Sequence, residues 1–126
     1  MIHGVVSSRC EAILPIVVGN TNGKRQFIEA VIDTGFNGFL TLPSTLIATL
    51  ELSWNGSDIV TLGDGSETFF DLYAATVIWD GEYREIDIAE SETEPLIGMA
   101  LLQEYRLQID TIEGGLVSIS SLSNID

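Results

Sequence analysis

Short runs of β-branched, aromatic and other apolar residues follow one another along the chain, and turn-forming residues separate them. This pattern is typical of strands, which are short and end where glycine, asparagine or aspartate lets the chain reverse. The predicted strands are residues 12–18, 25–32, 39–42, 59–62, 67–70, 71–79, 83–89, 95–98, 106–112 and 116–119. Since 67–70 continues into 71–79, the sequence predicts roughly nine strands.

Two segments between the strands have a helical pattern instead. Residues 44–50 place apolar side chains at Leu46, Ile47 and Leu50, and Ser44 is the expected N-cap. Residues 99–105 consist mainly of good helix formers. The expected fold class is therefore all-β, a closed barrel or sandwich with one or two short helices. The length of 126 residues fits a single domain, 1–126.

Tight turns are predicted at two places between strand patterns. Gly63, Asp64, Gly65 and Ser66 form one candidate hairpin turn, and Asp80-Gly81 forms the other. Asp-Gly steps favour such turns because they tolerate a left-handed backbone. Residues 80–94 carry seven acidic side chains against one basic one. We expect this run to be a solvated, charged sheet edge, which would discourage aggregation.

The charge balance restricts the partners of the protein. The chain has 19 acidic and 5 basic residues, a formal net charge of −14, and an apolar content of 45% that can fill a core. A surface this negative repels phosphates, so we expect neither nucleic acid nor an anionic membrane as a partner. Residues 12–18, the longest apolar stretch, are too few to span a membrane, and no signal peptide is visible. We expect a soluble, cytoplasmic protein.

The strongest chemical feature is the segment Ala30-Val31-Ile32-Asp33-Thr34-Gly35. A buried strand delivers one carboxylate at its end, and the glycine after it allows a sharp turn that leaves amides free near that carboxylate. Such an acid is held rigidly and still opens to a cleft. The tripeptide Asp33-Thr34-Gly35 alone also fits an inert turn carboxylate, so its context decides between the two.

The order of the segments around Asp33 supplies that context. The run Phe39-Leu40-Thr41-Leu42-Pro43 and a short helix follow it, and Pro95-Leu96-Ile97-Gly98 later precedes the second helix. Gly63–Ser66 lies between the two segments. In this combination residues 11–120 resemble the retropepsin-like (clan AA) aspartic proteases, and the chain is most similar to small prokaryotic single-domain members. The resemblance implies a closed acid-protease barrel that acts as a two-fold dimer.

The resemblance also implies roles for individual residues. Asp33 matches the catalytic aspartate, and Gly35 matches the glycine of the active-site loop. Thr34 matches the threonine that hydrogen-bonds across the dimer in this family. Gly63, Asp64, Gly65 and Ser66 match the tip of a substrate-covering flap, and Leu96-Ile97-Gly98 matches the segment that supports the active-site loop.

Two positions depart from the family pattern. Phe36 stands where alanine or serine is common after Asp-Thr-Gly, and Met99 stands where retroviral members often have an arginine that supports the dimer. Dimer contacts would then come from elsewhere, and the terminal strands 2–6 and 116–119 are the candidates.

The function implied is that of an aspartic endopeptidase acting on polypeptides. One chain supplies one Asp33, so the two carboxylates that activate water and protonate the carbonyl require a homodimer. Two close carboxylates share a proton, which favours an acidic pH optimum. No cofactor and no metal are needed. The alternatives are a dimerisation or peptide-binding module of the same fold without efficient turnover, and a monomeric β-domain in which Asp33 has no catalytic role.

Other chemical sites are less consistent with the sequence. Residues 33–44 resemble a calcium loop only superficially, because Gly35 and Ser44 stand where the ligands at positions three and twelve belong. His3 is the only histidine and has no partner motif nearby. Cys10 is the only cysteine, so an intramolecular disulfide is excluded, and we expect a buried or incidental thiol.

Overall fold

The computed structural model describes residues 1–61 and 63–124. Ten strands occur in these two ranges: β1 (Ile2–Val6), β2 (Ala12–Gly19), β3 (Arg25–Ile32), β4 (Leu40–Leu42), β5 (Ser53–Thr61), β6 (Glu67–Trp79), β7 (Glu82–Glu90), β8 (Leu96–Ile97), β9 (Tyr105–Ile109) and β10 (Leu116–Ser121). Helix α1 (Ser44–Thr49) follows β4, helix α2 (Met99–Leu102) follows β8, and a 3₁₀ turn (Leu122–Asn124) follows β10. The predicted strand 59–62 ends on Leu62, which lies outside the described residues.

The strands form one sheet that closes on itself. Their order is β5-β6-β7-β4-β8-β3-β2-β1-β10-β9, and β6 also pairs with β2. That extra pairing, with Val17 opposite Ile78, joins β6, β7, β4, β8, β3 and β2 into a closed ring. The expected all-β barrel is confirmed, and the mixture of parallel and antiparallel pairs in the ring brings β3 beside β8.

The interior of this ring is filled by the inward-facing positions of its strands. On β2, Leu14, Ile16 and Val18 are buried while Pro15 between them is exposed. This alternation is the period of two that a strand imposes on its side chains. The ring of Trp79 meets that of Tyr105 edge to face, with centroids 5.9 Å apart, and so joins β9 to the barrel.

Both helices differ from their predictions. Pro43, not Ser44, is the N-cap of α1, and the backbone N–H of Ser44 donates to Oε1 of Glu92 at 2.9 Å. A carboxylate from a distant loop thus replaces the expected local cap. Helix α2 ends at Leu102 instead of residue 105, because Tyr105 begins β9 and packs on Trp79. Tertiary packing here outweighs helix propensity.

The acidic run 80–94 is not a sheet edge as predicted. Strand β7 lies inside the sheet between β6 and β4, whereas β5 and β9 are the two end strands of the order. Ile86 and Ile88 are buried, Asp87 between them is partly exposed, and Glu85 just before them is exposed. The acids therefore occupy the solvent-facing side of an interior strand, where they remain hydrated although the backbone on both sides is paired.

The terminal strands pair with each other within the chain. Strand β1 lies between β2 and β10, and β10 lies between β1 and β9, so each has a neighbour on both sides. The pairing of β1 with β2 is limited to Val5 and Val6, whereas its pairing with β10 covers Ile2 to Val5. Val5 and Leu116, which are opposite each other in the β1–β10 register, are each about half exposed.

Candidate active site

Asp33 lies directly after β3, and β8 holds it in place. The two strands run parallel, with Val31 opposite Leu96. At the start of this contact the N–H of Val31 donates to the carbonyl oxygen of Pro95 at 2.8 Å. At its end the N–H of Asp33 donates to the carbonyl oxygen of Ile97 at 2.9 Å. The backbone of Asp33 is therefore fixed by the Pro95–Ile97 segment, as the motif order predicted.

The turn after Asp33 holds its carboxylate through one of the two oxygens. The N–H of Phe36 donates to the carbonyl oxygen of Asp33 at 3.1 Å, which closes the turn. The N–H of Gly35 donates to Oδ1 of Asp33 at 2.9 Å. Asp33 is half-buried, and Thr34 and Gly35 beside it are exposed. An amide bond to one carboxylate oxygen orients the group and leaves the other oxygen for a reacting partner.

The segment around Gly98 supports the turn from below. The N–H of Met99 donates to the carbonyl oxygen of Phe36 at 2.8 Å, and the N–H of Ala100 donates to that of Gly38 at 3.1 Å. A Cβ on Gly98 would lie 2.2 Å from the Gly38 oxygen and 2.5 Å from Cδ2 of Phe36. Only glycine fits at such distances.

Phe36 has a packing role that explains its departure from the family pattern. Its side chain is fully buried with Ala89, and Phe70 and Leu72 of β6 pack against the pair. The ring forms a small second core below the turn, outside the main core of the barrel. The floor of the candidate site is therefore apolar and closely packed.

The predicted flap lies directly on the turn that follows Asp33. Strands β5 and β6 form a hairpin in which Thr61 is opposite Glu67, and Gly63 follows in the connecting turn. A Cβ on Gly63 would lie 2.9 Å from Oδ2 of Asp33. A Cβ on Gly35 would lie 2.6 Å from the Cα of Gly63. The structure thus brings Asp33, Gly35 and Gly63 together, and the last two contact as backbone because neither has a side chain.

The other predicted flap residues form the turn itself. Oδ1 of Asp64 accepts hydrogen bonds from the N–H and the Oγ–H of Ser66, at 2.8 and 2.6 Å. These bonds lower the pKa of Asp64, because they stabilise its ionised form. Gly65 has a φ of +85°, which the turn requires and which glycine adopts without strain. All three residues are exposed.

The sequence did not point to Asn37, which joins the turn to the flap. Its Oδ1 accepts a hydrogen bond from the N–H of Thr61 at 3.0 Å, and its own N–H donates to the carbonyl oxygen of Thr61 at 3.3 Å. The only local signal is its place just after Asp33-Thr34-Gly35. Its partner is 24 residues away, and no local pattern shows that pairing.

A cavity of about 200 Å³ opens between the flap and the barrel. It is lined by Phe36, Asn37, Gly38, Phe39, Asp58, Ile59, Leu72, Asp87, Ala89 and Ala100. The flap supplies one wall, and the apolar core around Phe36 supplies another. The space suits a single side chain beside the candidate active site.

A second apolar surface lies beside β3, just before Asp33. A cavity of about 430 Å³ includes Val31, Ile32, Ile109 and Ile112 in its lining. Ile112 is 70% exposed. It follows β9 in the Asp110–Gly115 turn, where the predicted strand 106–112 has already ended. Together with these other three apolar side chains of the lining, Ile112 forms an apolar surface next to Asp33.

Two glutamates lie close together at this surface. Glu11 lines the cavity and is hydrogen-bonded to Glu94. That hydrogen bond raises the pKa of Glu94, burial and the charge of Glu11 raise it further, and Arg9 opposes them. A pair of acids in this arrangement is most stable when one of them holds a proton.

The remaining chemical candidates are isolated. His3 is exposed and its Nε2 lies 3.1 Å from Sδ of Met1. Cys10 is exposed, so of the two expectations the buried thiol is wrong and the incidental thiol stays a prediction. Across residues 1–61 and 63–124 no group of three or more His, Cys, Asp and Glu side chains is arranged to hold a metal ion. In the same part of the chain no helix is long and apolar enough to cross a membrane.

The fold and the site together define a class. The closed all-β barrel, with Asp33 at the end of one of its strands and a hairpin over it, has the retropepsin-like fold. The structure is similar to the crystal structure of a retropepsin-like aspartic protease from Rickettsia conorii, with a TM-score of 0.59. The match covers 95% of this chain and 91% of that one at 15% sequence identity. No protein-family model matches the sequence, and no curated protein matches it significantly.

Proposed function

We propose that the protein is an aspartic endopeptidase that hydrolyses polypeptides as a homodimer. The observation that carries this proposal is the placement of Asp33. Its carboxylate stands at the end of a buried strand, held through the backbone by Ile97 and covered by Gly63 of the hairpin. General acid–base catalysis requires a carboxylate held in a fixed position, and a hairpin that lifts from it can then cover a bound peptide.

The chemistry needs two Asp33 carboxylates that share one proton. The ionised one takes a proton from a water molecule, whose oxygen attacks the peptide carbonyl carbon. The protonated one donates its proton to the carbonyl oxygen, and a tetrahedral diol forms. Proton transfer to the nitrogen then lets the C–N bond break, which yields a carboxylic acid and an amine. No cofactor enters these steps.

The surface beside Asp33 supports a two-fold dimer in which the carboxylates face each other. Ile112 is exposed next to the Val31–Ile32 cavity, and Val5 and Leu116 are half exposed on neighbouring strands. Burying these apolar side chains would favour association. Thr34, exposed next to Asp33, would hydrogen-bond across the dimer axis. Acidic pH would also protonate some carboxylates and so reduce the repulsion between two chains that each carry a charge of −14 at neutral pH.

We further propose that one substrate side chain occupies the cavity of about 200 Å³ between flap and barrel. The flap residues Gly63, Asp64, Gly65 and Ser66 would lie over the substrate backbone. A cytoplasmic location, and the lack of nucleic-acid and membrane partners, follow only from the charge and the sequence and remain predictions.

One observation favours a second candidate, a peptide-binding or dimerisation module of this fold without efficient turnover. The approach of Gly63 to Asp33 leaves no room for a water molecule between them in the conformation described. A hairpin that stayed in this position would prevent hydrolysis. The protease and the binding module therefore differ in whether the β5–β6 hairpin moves away from Asp33.

The test is cleavage of an unfolded polypeptide between about pH 3 and pH 7, with and without an aspartic-protease inhibitor. Asp33→Asn is the matched variant, because it keeps the shape of the side chain and removes its acid–base function. We expect inhibitor-sensitive cleavage that is strongest in acid and lost in the variant. Cleavage that persists in Asp33→Asn would refute the proposal, and peptide binding without cleavage would support the second candidate.

A further inference from the structure

The outer part of the β5–β6 hairpin projects beyond the barrel. Strand β6 pairs with β7 only from Leu72 onward, where it is opposite Ala89. Nearer the tip, Ile59 of β5 is opposite Phe69 of β6, and both side chains are exposed. Phe70 packs on the core below the turn at the base of this projection. The tip itself is therefore held by the few contacts that it makes with the active-site turn.

Asn37 provides two of those contacts. Its side-chain Oδ1 and its backbone N–H both bond to the backbone of Thr61, at 3.0 and 3.3 Å. These two hydrogen bonds resemble the pair that joins opposite residues of neighbouring strands. Here they join the loop at Asn37 to the edge of the hairpin. Because β5 is an end strand of the sheet order, the Thr61 backbone groups on this side face Asn37 and not another strand.

The consequence of this pairing is seen at the tip. With Thr61 fixed, Gly63 sits over Asp33 so closely that a Cβ on it would be 2.9 Å from Oδ2. A peptide in extended form needs about 4.8 Å between its backbone and a neighbouring strand. No such space exists between Gly63 and Asp33. The chain by itself is therefore closed against substrate.

We propose that Asn37 is a positioning residue that latches the flap over Asp33 of its own chain, and that substrate enters only after the Asn37–Thr61 bonds break. The latch concerns the single chain and does not depend on catalysis. Its effect on substrate entry rests on the proposed protease function. A molecule whose open form is a minor population binds substrate more weakly in proportion to that population.

The chemistry of the contact selects the variants. Asn37→Leu keeps the approximate size and removes the acceptor, Asn37→Ala removes it without adding apolar bulk, and Asn37→Asp keeps an acceptor oxygen. Asn55→Ala is the matched control on the same strand. The Nδ2 of Asn55 donates to Oδ1 of Asp87 at 2.9 Å, which joins β5 to β7 at the base of the hairpin.

The first measurement is hydrogen exchange of the Thr61 amide in the full chain. Loss of one neutral hydrogen bond corresponds to about a 3- to 10-fold shift of an opening equilibrium. We expect exchange to accelerate by that factor in Asn37→Leu and Asn37→Ala, and to stay as in the parent in Asn37→Asp and Asn55→Ala. Unchanged exchange in both Leu and Ala variants would overturn the proposal.

The second measurement is steady-state cleavage of a peptide substrate. A weaker latch raises the open population, so we expect KM to fall by a similar factor in both Asn37→Leu and Asn37→Ala, although the two variants change the lining of the neighbouring cavity in different ways, and to stay near the parent value in Asn37→Asp. If Asn37 had only a structural role, its replacement would lower kcat, and Asn37→Asp would not restore it. A KM that rises, or one that Asn55→Ala changes equally, contradicts the latch. If exchange responds as expected and no variant cleaves peptide, the latch stands and the protease proposal fails.

Discussion

The backbone N–H of Asp33 donates a hydrogen bond to the carbonyl oxygen of Ile97, at 2.9 Å. This bond joins two segments that are far apart in sequence: one leads into the turn at Gly35, and the other leads into Gly98, the N-cap of α2. This bond fixes the backbone of Asp33, and the backbone in turn fixes the carboxylate. The position of the carboxylate therefore depends on the segment around Ile97 as much as on the turn after Asp33. Changes near Gly98 should therefore affect both the fold and the activity.

Replacement of Gly98 by alanine should destabilise the protein. The added Cβ would meet the Gly38 oxygen and the Phe36 ring, and both are held in place. We expect the free energy of unfolding to fall by about 1–3 kcal/mol, the usual cost of overpacking. Met99→Ala, at the half-exposed neighbouring residue, should change it by less than about 0.5 kcal/mol. Urea denaturation measures both, and equal effects would contradict the close packing at Gly98.

Phe36 should contribute strongly to stability in spite of its place in the active-site loop. Its side chain is fully buried, so Phe36→Ala leaves a cavity below the turn and should cost about 3–5 kcal/mol. Phe69→Ala is the matched control, because that ring is 74% exposed on the flap. We expect only a small change there. Chemical denaturation of the two variants side by side provides the measurement, and a small effect at Phe36 would refute the second core.

The exposed surface at Ile112 should control dimerisation. A buried arginine in an apolar contact is costly, so Ile112→Arg should weaken the dimer at acidic pH by at least about tenfold. Phe27→Arg is the control, since Phe27 is similarly exposed on β3 but lies near its opposite end. Sedimentation equilibrium gives the dissociation constants. Equal dimerisation in Ile112→Arg and the parent would exclude this surface.

The Glu11–Glu94 pair should make the fold more stable in acid than at neutral pH. The pKa of Glu94 is raised by its hydrogen bond to Glu11, so the folded chain holds a proton that the unfolded chain has released. This contribution is fully present below the ordinary glutamate pKa and is lost as the pH rises through the raised one. We expect Glu94→Gln to raise stability at neutral pH and to leave it unchanged in acid.

The check on this prediction is urea denaturation of dilute protein at several pH values. Glu113→Gln, an exposed glutamate in the β9–β10 turn, is the control and should behave as the parent at every pH. Asp64 acts in the opposite sense, because its lowered pKa adds stability that is lost as the pH falls through the folded value. The variant Asp64→Asn should therefore be less stable than the parent at neutral pH and equally stable in strong acid. A neutral-pH loss of stability in Glu94→Gln would contradict the pairing.

Features that depend on residues close together in the sequence could be predicted. The β-rich runs that become β2 and β3, the Asp64-Gly65 turn and the strand-end position of Asp33 all follow from local pattern and turn chemistry. The retropepsin-like fold was implied by the resemblance of these motifs, in their order, to that family. The barrel is confirmed by the β6–β2 pairing and by the similarity to the solved structure.

Features that depend on residues distant in sequence could not be predicted in this way. The cap of α1 comes from Glu92, the bonds that hold the flap come from Asn37, and strand β7 lies inside the sheet because β4 pairs with it. Each of these is a long-range contact for which the local sequence carries no distinct signal. The roles of Asp33 and Thr34 in catalysis and in a dimer remain predictions for the same reason.

The central claim is that two copies of Asp33, one from each of two chains, form one active site. Mixing a fixed amount of the parent with an excess of Asp33→Asn chains at acidic pH tests it directly. If subunits exchange freely and both carboxylates are required, a threefold excess should reduce cleavage to about a quarter, because parent chains are captured in inactive mixed dimers. Cleavage that stays constant as Asp33→Asn is added, although sedimentation shows mixed dimers, would contradict the account.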